Sequence, residues 1–184
     1  MAAILLEPFF EVELVTCNFS LLSTDEIAAE VASRIGLPHR ILNMDSDILE
    51  NAYEMIIRDG FPKNAINYIH QKTVESLALE DGVKFIADGT RRDDRVPVLT
   101  ASQIQSIEDR FYVNYLCPLR GYGRTAVNQL VKTHLIIQEA LSDDISKADY
   151  EAELRELIKL RHGIDIIEKL FPPHVQSKVI ERIK

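Results

Sequence analysis

The sequence has few cysteines, no long apolar run and a deficit of basic residues. Cys17 and Cys117 are far apart and form no CxxC pair, which argues against a disulfide scaffold or a zinc knuckle. No apolar run approaches the length of a membrane span. The first ten residues are apolar, but they lack a basic region and include Glu7 and Pro8, unlike a secretion signal. We therefore expect a cytoplasmic protein that does not associate with membranes.

The charge balance is acidic, with 29 Asp and Glu against 21 Lys and Arg and a net charge of −8. This balance argues against binding of nucleic acid through the overall charge of the protein, although it is compatible with a local basic patch. The chain has 184 residues, of which 46% are hydrophobic. That size and composition predict one ordinary globular domain with a real core, with or without a small appendage.

Strand-like and helix-like segments alternate along most of the chain. Alternating apolar residues rich in strand formers predict strands at 11–19, 38–45, 83–88 and 111–116. Helical periodicity predicts helices at 23–36, 47–59, 63–80, 100–109 and 125–140. Ser23 and Glu26 have the spacing of a capping box at the start of the first of these helices. This alternation predicts an α/β fold, in which helices cover both faces of a parallel sheet.

The tail differs from the rest of the chain. The stretch 141–149 is linker-like, and the apolar spacing after it predicts two or three helices. We therefore predict two units, an α/β domain over 1–142 and a helical C-terminal extension over 143–184. The extension would serve as a cap or as a dimerisation arm.

The segment FIADGTRRDDRVP (85–97) ends an apolar strand in a cluster of charge. In parallel sheets, ligands bind at the carboxyl ends of the strands. Asp93 and Asp94 offer the hard oxygen ligands that Mg²⁺ prefers. Guanidinium groups suited to phosphate come from this cluster and from the end of the next strand: Arg91, Arg92, Arg95, Arg120 and Arg124. From spacing alone, the favoured alternative is a solvated turn in which the Asp and Arg residues pair with one another.

These segments together resemble the adenine nucleotide alpha-hydrolase superfamily, the PP-loop ATP pyrophosphatases, and in particular its archaeal members. ELVTCNF and LPHRIL resemble the second and third strands of that family, and FIADGTRRDDRVP resembles its pyrophosphate-facing turn. CPLRGYGRTAVNQL is similar to the PL-x4-K segment of GMP synthetase and thiolation enzymes, with Arg124 where Lys is usual. The resemblance implies a Rossmann-like (HUP-type) fold.

The resemblance also implies a ligand, a chemistry and a set of site residues. ATP and Mg²⁺ would be the cofactors, and the reaction would be AMP-forming ligation or tRNA thiolation. Thr16, Asn18 and Phe19 would lie along the adenosine, whereas Asp88, Gly89, Thr90 and Arg120 would contribute to cofactor binding around the pyrophosphate. Asp93, Asp94 and Arg124 would be the catalytic residues, and the two aspartates would hold Mg²⁺.

One departure from the family pattern bears on activity. The Ser-Gly-Gly-x-Asp-Ser loop and the strand before it do not occur in this sequence. That strand would be central, between 11–19 and 83–88, so its absence predicts a divided sheet. Either the start codon is assigned too late, or the protein has lost the loop and rearranges as a dimer. The chain given is expected to be a poor catalyst. The alternative functions are a dimeric non-catalytic scaffold, a nucleotide sensor of the same fold, or a tRNA-binding accessory subunit.

Overall fold

A computed structural model describes residues 1–141, 148–171 and 175–183. The described chain is a mixed α/β structure. Its helices are α1 (Ala2–Leu6), α2 (Thr24–Ile35), α3 (Ser46–Asp59), α4 (Lys63–Ala78), α5 (Ala101–Phe111), α6 (Arg124–His134), α7 (Tyr150–His162) and α8 (Asp165–Leu170). Its strands are β1 (Leu14–Asn18), β2 (His39–Asn43), β3 (Phe85–Ala87), β4 (Asn114–Leu116), β5 (Leu135–Leu141) and β6 (Val175–Arg182).

The parallel strands lie in two small sheets. β1 pairs with β2 from Leu14 opposite His39 to Asn18 opposite Asn43, and β3 pairs with β4 over three residues. No sheet in the described part of the chain joins the two pairs. The divided sheet expected from the missing central strand is thus confirmed, whereas a single continuous parallel sheet is not observed.

Local signals set most of the early element boundaries. Gly36 and Gly60 end α2 and α3 in left-handed conformations, with φ of 75° and 67°, which a residue without a Cβ adopts without strain. Ser23 is the N-cap of α2, but its side chain makes no capping hydrogen bond, so the predicted capping box at Ser23 is wrong. A capping box does form at Thr100, where the side chain of Gln103 reciprocates.

Two predictions for the second half of the chain are wrong. The helix predicted over 125–140 ends at His134, and residues 135–141 form β5. Residues 175–182, predicted as helix within the C-terminal extension, form β6. The two strands pair antiparallel from Leu135 opposite Arg182 to Leu141 opposite Val175, with an irregularity at Ile136 and Ile137. Each segment carries apolar residues that fit a helix or a strand, and the ladder between them decides in favour of the strand.

The proposed domain boundary at 142 and 143 lies outside the described residues. The region after it is joined to the region before it by the β5–β6 pairing, and α7 packs against α3 and α4. Strand 111–116 was predicted too long, because Phe111 still belongs to α5 and Tyr112 ends that helix in a left-handed conformation.

Helix α4 contributes to two separate hydrophobic clusters. Ile69 packs in the cluster that contains Phe19, the residue after β1, together with residues of α3, α7 and α8. Val74, little more than one turn later, packs in the cluster that contains Ile86 of β3. The helix therefore connects the two parallel strand pairs even though no backbone ladder does. Among the described residues, no helix has both the length and the apolar character needed to cross a membrane.

Candidate functional site

The loop after β3 is anchored by the carboxylate of Asp88. Its Oδ2 lies 3.1 Å from Nε2 of His70 and accepts hydrogen bonds from the hydroxyls of Tyr115 and Thr90, the latter at 2.8 Å. Its Oδ1 accepts the backbone N–H of Thr90 at 3.0 Å. His70 comes from α4 and Tyr115 from β4. A single carboxylate therefore ties a helix and the neighbouring strand to the first residues of the charged loop.

These contacts control the ionisation of Asp88. Burial alone would raise the pKa of this carboxyl group, but hydrogen bonds from His70, Tyr115 and Thr90 outweigh it and hold the pKa well below its usual range. The Asp88 side chain is 13% exposed and that of His70 is 5% exposed. The loop thus begins from a buried, negatively charged anchor.

Asp94 is used within the loop itself. Its Oδ2 accepts the backbone N–H of Arg91 at 2.8 Å, and its Oδ1 accepts the Arg91 Nε–H at 2.9 Å and a second guanidinium N–H. This pair raises the pKa of Arg91 above its usual value. The spacing favoured a turn in which Asp and Arg residues pair with one another, and Asp94 and Arg91 do form such a pair.

Asp93 caps a helix that lies far along the chain. Its Oδ2 accepts the backbone N–H of Arg124, the first residue of α6, at 2.9 Å. That hydrogen bond is the main cause that lowers the pKa of Asp93. Gly123, the N-cap of α6, has no side chain to cap the helix, and a Cβ there would lie 2.8 Å from Nη2 of Arg92. Glycine at 123 therefore lets the Arg92 guanidinium lie against the start of α6.

The remaining arginines of the site are free to face a ligand. Four exposed guanidinium groups have no hydrogen-bond or ion-pair partner among the described residues: Arg92, Arg95, Arg120 and Arg124. Three aspartates accompany the five arginines of this region, so it carries local positive charge on an acidic protein. Such a surface attracts phosphate or carboxylate groups.

Asp93 and Asp94, the expected ligands of Mg²⁺, both accept hydrogen bonds within the protein. Both oxygens of Asp94 bind Arg91, and one oxygen of Asp93 binds the α6 backbone, so these carboxylates do not present a ready pair to Mg²⁺. In the described part of the chain, no group of three or more His, Cys, Asp or Glu side chains is placed to hold a metal ion.

A pocket lies at the carboxyl ends of β1 and β2. Its volume is about 310 Å³, and it is lined by Asn18, Ser20, Leu21, Leu22, Ser23, Asp25, Ile41 and Asn43. We name it the Asn18–Asn43 pocket. Its polar groups are amides, hydroxyls and one carboxylate, and no Lys or Arg from the described part of the chain lines it. This chemistry suits a neutral ligand with hydrogen-bonding groups better than an anion.

Asn18 shapes the loop that follows β1. Its Nδ2 donates to the carbonyl of Leu22 at 3.2 Å and to the hydroxyl of Thr24 at 3.3 Å, and its Oδ1 accepts the backbone N–H of Ser20. Ser20 has a φ of 63°, in the left-handed region. The Asn18 side chain is buried, so it holds the turn while forming part of the pocket wall.

The same loop is held from its other side by Glu153 of α7. This carboxylate accepts the backbone N–H of Phe19 at 3.1 and 3.0 Å with its two oxygens, and that of Leu21 at 3.0 Å. A longer contact reaches the N–H of Leu22 at 3.4 Å. Glu153 is 1% exposed and pairs with no Lys or Arg of the described chain. Backbone amides alone thus satisfy a fully buried carboxylate.

The other two residues expected along an adenosine have structural partners. The Thr16 hydroxyl lies 2.9 Å from Nε2 of His39 on the neighbouring strand. The Phe19 side chain is buried in the cluster formed with α3, α4, α7 and α8. Of the three, only Asn18 lines the pocket.

The sequence matches a protein family over nearly its whole length. Residues 1–181 match the model of a family of unknown function, DUF7411. The chain belongs to the DUF7411 family.

Both of the comparisons described next lead to Methanocaldococcus jannaschii. One is with an uncharacterized protein, MJ0690, which is 39% identical over 179 residues, covering 97% of this chain and 88% of that protein. The other is with a crystal structure described as a predicted subunit of tRNA methyltransferase, which superposes with a TM-score of 0.88 at 39% identity. That match covers 100% of this chain and 90% of the other. This DUF7411 chain therefore shares its fold with a solved structure.

Three side chains of the DUF7411 site were missed by sequence reasoning. None of His70, Tyr115 and Glu153 is among the site residues predicted from the sequence. Ile66, Ile69 and Val74 are buried residues of α4, and His70 is buried with them. A buried histidine needs a polar partner. That signal was available for His70. Glu153 gave no such signal, because only the tertiary structure brings α7 against the loop after β1.

Proposed function

We propose that this chain is an adenine-nucleotide-binding protein related to the AMP-forming ATP pyrophosphatases and tRNA-thiolating enzymes. The observation that carries the proposal is the loop after β3, which the buried Asp88 anchors beside the start of α6 and which presents unpaired arginines. Phosphate oxygens are the natural partners of such guanidinium forks. The family resemblance of ADGTRRDD and CPLRGYGR supports the same ligand.

The fold proposed for this function is Rossmann-like. Its two halves would be the β1–β2 and β3–β4 pairs, which α4 connects through His70 and Ile69. In such a sheet the carboxyl ends of the strands lie at one edge, where nucleotides bind. The Asn18–Asn43 pocket would then take the base and ribose, and the arginine-bearing loop would take the phosphates.

Binding of the nucleotide phosphates is the activity that these residues support. Arg120 and Arg124 would hold phosphate oxygens, and Asp93 would keep the first backbone N–H of α6 in place. The pyrophosphate loop that the resemblance implies is missing from this sequence. If a reaction occurs, it would be cleavage of ATP between the α and β phosphates with transfer of the adenylate, and the arginines would stabilise the charge on the leaving pyrophosphate.

The test is calorimetric titration of the full chain with ATP and with pyrophosphate, each with Mg²⁺. We expect Arg124→Ala and Arg120→Ala to weaken binding of both about tenfold or more, because each removes a charge-assisted hydrogen bond, worth roughly 1.5–3 kcal/mol. Arg58→Ala removes an exposed charge from the end of α3 and should leave the affinity within twofold of wild type. Absence of wild-type binding at millimolar ligand, or equal affinity in all three variants, would overturn the proposal.

A second candidate function is that of a non-catalytic subunit in tRNA modification. The description of the similar crystal structure as a predicted subunit of tRNA methyltransferase favours it. The same four unpaired arginines would then contact the tRNA backbone. The test is to measure the affinity of the chain for tRNA at several salt concentrations. A linear fall of the logarithm of the affinity with the logarithm of the salt concentration would support this function, provided that the slope of this line is smaller for Arg124→Ala. Light scattering of the purified chain would show whether it acts as a dimer or needs a different subunit.

A further inference from the structure

We infer that Glu153 is a positioning residue of the Asn18–Asn43 pocket, and that α7 thereby controls whether this pocket takes the nucleoside part of a ligand. The inference rests on the proposed function, since it assumes that a nucleoside is what the pocket takes. Glu153 was not among the residues that the sequence or the family resemblance indicated. It touches no part of the pocket interior and acts through the loop of residues 19–22.

The first step is the geometry of the loop. Residues Ser20, Leu21 and Leu22 line the pocket on one side, while the backbone N–H groups of Phe19, Leu21 and Leu22 point to Glu153 on the other. Backbone N–H groups that converge in this way form a concave site for an anion. The carboxylate of the protein's own α7 fills that site, so the loop conformation depends on α7.

The second step is that, among the described residues, no side chain other than Glu153 accepts the backbone N–H groups of Phe19, Leu21 and Leu22. Inside the loop, the Asn18 side chain binds the N–H of Ser20 and the carbonyl of Leu22, but the amides of Phe19, Leu21 and Leu22 are left to Glu153. Without the carboxylate, the buried N–H of Phe19 and the partly buried N–H groups of Leu21 and Leu22 would lose their acceptor, at a cost that favours a different loop conformation. Since three residues of this loop line the pocket, the pocket would change shape with it.

The third step is the class of ligand. No cationic side chain of the described residues lines the pocket, and Asp25 adds a carboxylate, so phosphate groups are disfavoured there. The Asn43 amide and two serine hydroxyls provide donors and acceptors around Leu21, Leu22 and Ile41, whereas the Asn18 amide already donates within the loop. A neutral, flat heterocycle with hydrogen-bonding edges, carrying a sugar, matches this combination.

The experiment compares adenosine and pyrophosphate as separate probes. In ¹H–¹⁵N spectra of the wild-type chain, we expect adenosine to shift the amide resonances of Phe19, Leu21 and Leu22, and pyrophosphate to leave them in place. In Glu153→Gln we expect adenosine affinity to fall at least tenfold, because glutamine keeps only one acceptor oxygen and places an NH₂ donor against the remaining backbone donors. Pyrophosphate affinity should stay within twofold. Glu156→Gln, on the same helix, is the matched control and should bind both probes as wild type does.

The outcomes separate this inference from the proposed function. If adenosine leaves the amide resonances of residues 19–22 unchanged in the wild-type chain, the inference is overturned. This measurement uses only the wild-type chain, so it does not depend on whether a variant folds. Unchanged adenosine affinity in Glu153→Gln would also overturn it, as would an equal loss of both probes, which indicates general destabilisation. If pyrophosphate and ATP bind and depend on Arg124, the proposed function stands even when the inference fails. If the wild-type chain binds neither ATP nor pyrophosphate, the proposed function itself fails.

Discussion

Nε2 of His70 lies 3.1 Å from Oδ2 of Asp88, and this contact joins the middle of α4 to the start of the arginine-bearing loop. The Tyr115 hydroxyl lies 3.1 Å from the same histidine nitrogen and also donates to Asp88. The three side chains come from a helix and two adjacent strands. Movement of any one of these elements would therefore be transmitted to the loop that carries the unpaired arginines.

We predict that Asp88→Asn destabilises the protein by about 2 kcal/mol at neutral pH, since it removes a buried charge that accepts several hydrogen bonds. The pKa of Asp88 is lower in the folded state than in the unfolded state, so its contribution is complete above the unfolded value of about 3.9. The contribution is lost as the pH falls below that value towards the folded pKa. The measurement is urea unfolding of both proteins from pH 3 to pH 7.

The difference in unfolding free energy should be constant from about pH 5 upwards and should shrink below about pH 4. Asp45→Asn is the control, because asparagine caps a helix as well as aspartate does and Asp45 caps α3. A difference that does not vary with pH would contradict the role assigned to the Asp88 charge.

We predict that both cysteines react slowly with iodoacetamide at pH 8. Burial and, to a smaller extent, the nearby Asp88 carboxylate together raise the pKa of Cys117 to about 11, against the opposing effect of Arg120. Burial also raises the pKa of Cys17 to about 11, although the Thr73 hydroxyl beside it acts in the opposite direction. Only the thiolate reacts, so labelling should increase with pH well beyond the range of a free thiol.

Asp88→Asn distinguishes the two thiols. Removing the carboxylate should lower the pKa of Cys117 and speed its labelling severalfold, while Cys17, which Asp88 does not affect, keeps the wild-type rate. Peptide mass spectrometry after timed quenching would give both rates from one sample. Equal acceleration at both positions would indicate loosening of the whole fold instead.

We predict that Thr100→Ala costs about 1 kcal/mol of stability, because it removes the side chain that caps α5. The Thr100 hydroxyl accepts the backbone N–H of Gln103 at 3.3 Å, and the Gln103 side chain accepts the N–H of Thr100 at 2.9 Å. Ser106→Ala, an exposed change within the same helix, should cost nothing and could add stability. Denaturant midpoints of the two variants provide the comparison, and equal midpoints would contradict the cap.

We predict that removing residues 172–184 speeds hydrogen exchange in β5. The amides of 135–141 lie opposite β6, so truncation leaves half of that two-stranded ladder without a partner. The core amides of α3 and α4, which pack in the Ile69 cluster, should keep their protection. Mass-spectrometric exchange of the full and truncated chains would test this, and unchanged protection at 135–141 would show that β5 does not depend on β6.

The local sequence determined the first half of the fold. Apolar alternation placed β1, β2 and β3, the glycines at 36 and 60 ended their helices, and the clustering of Asp and Arg at 88–95 located a charged loop at a strand end. These features depend on residues within a few positions of one another, so the sequence displays them directly. The division of the sheet was expected from the family resemblance and not from the local sequence, and the described strands do form separate pairs.

Contacts between distant residues decided the rest. Residues 135–141 and 175–182 have helix-compatible patterns, and each became a strand because the other supplies its hydrogen bonds. Asp93 caps a helix that begins 31 residues later, because the fold brings the backbone N–H of Arg124 to it. Glu153 lies 134 residues from Phe19 and satisfies its amide only after α7 packs against the first cluster. A buried polar group needs a partner, but the sequence does not say which distant segment provides it.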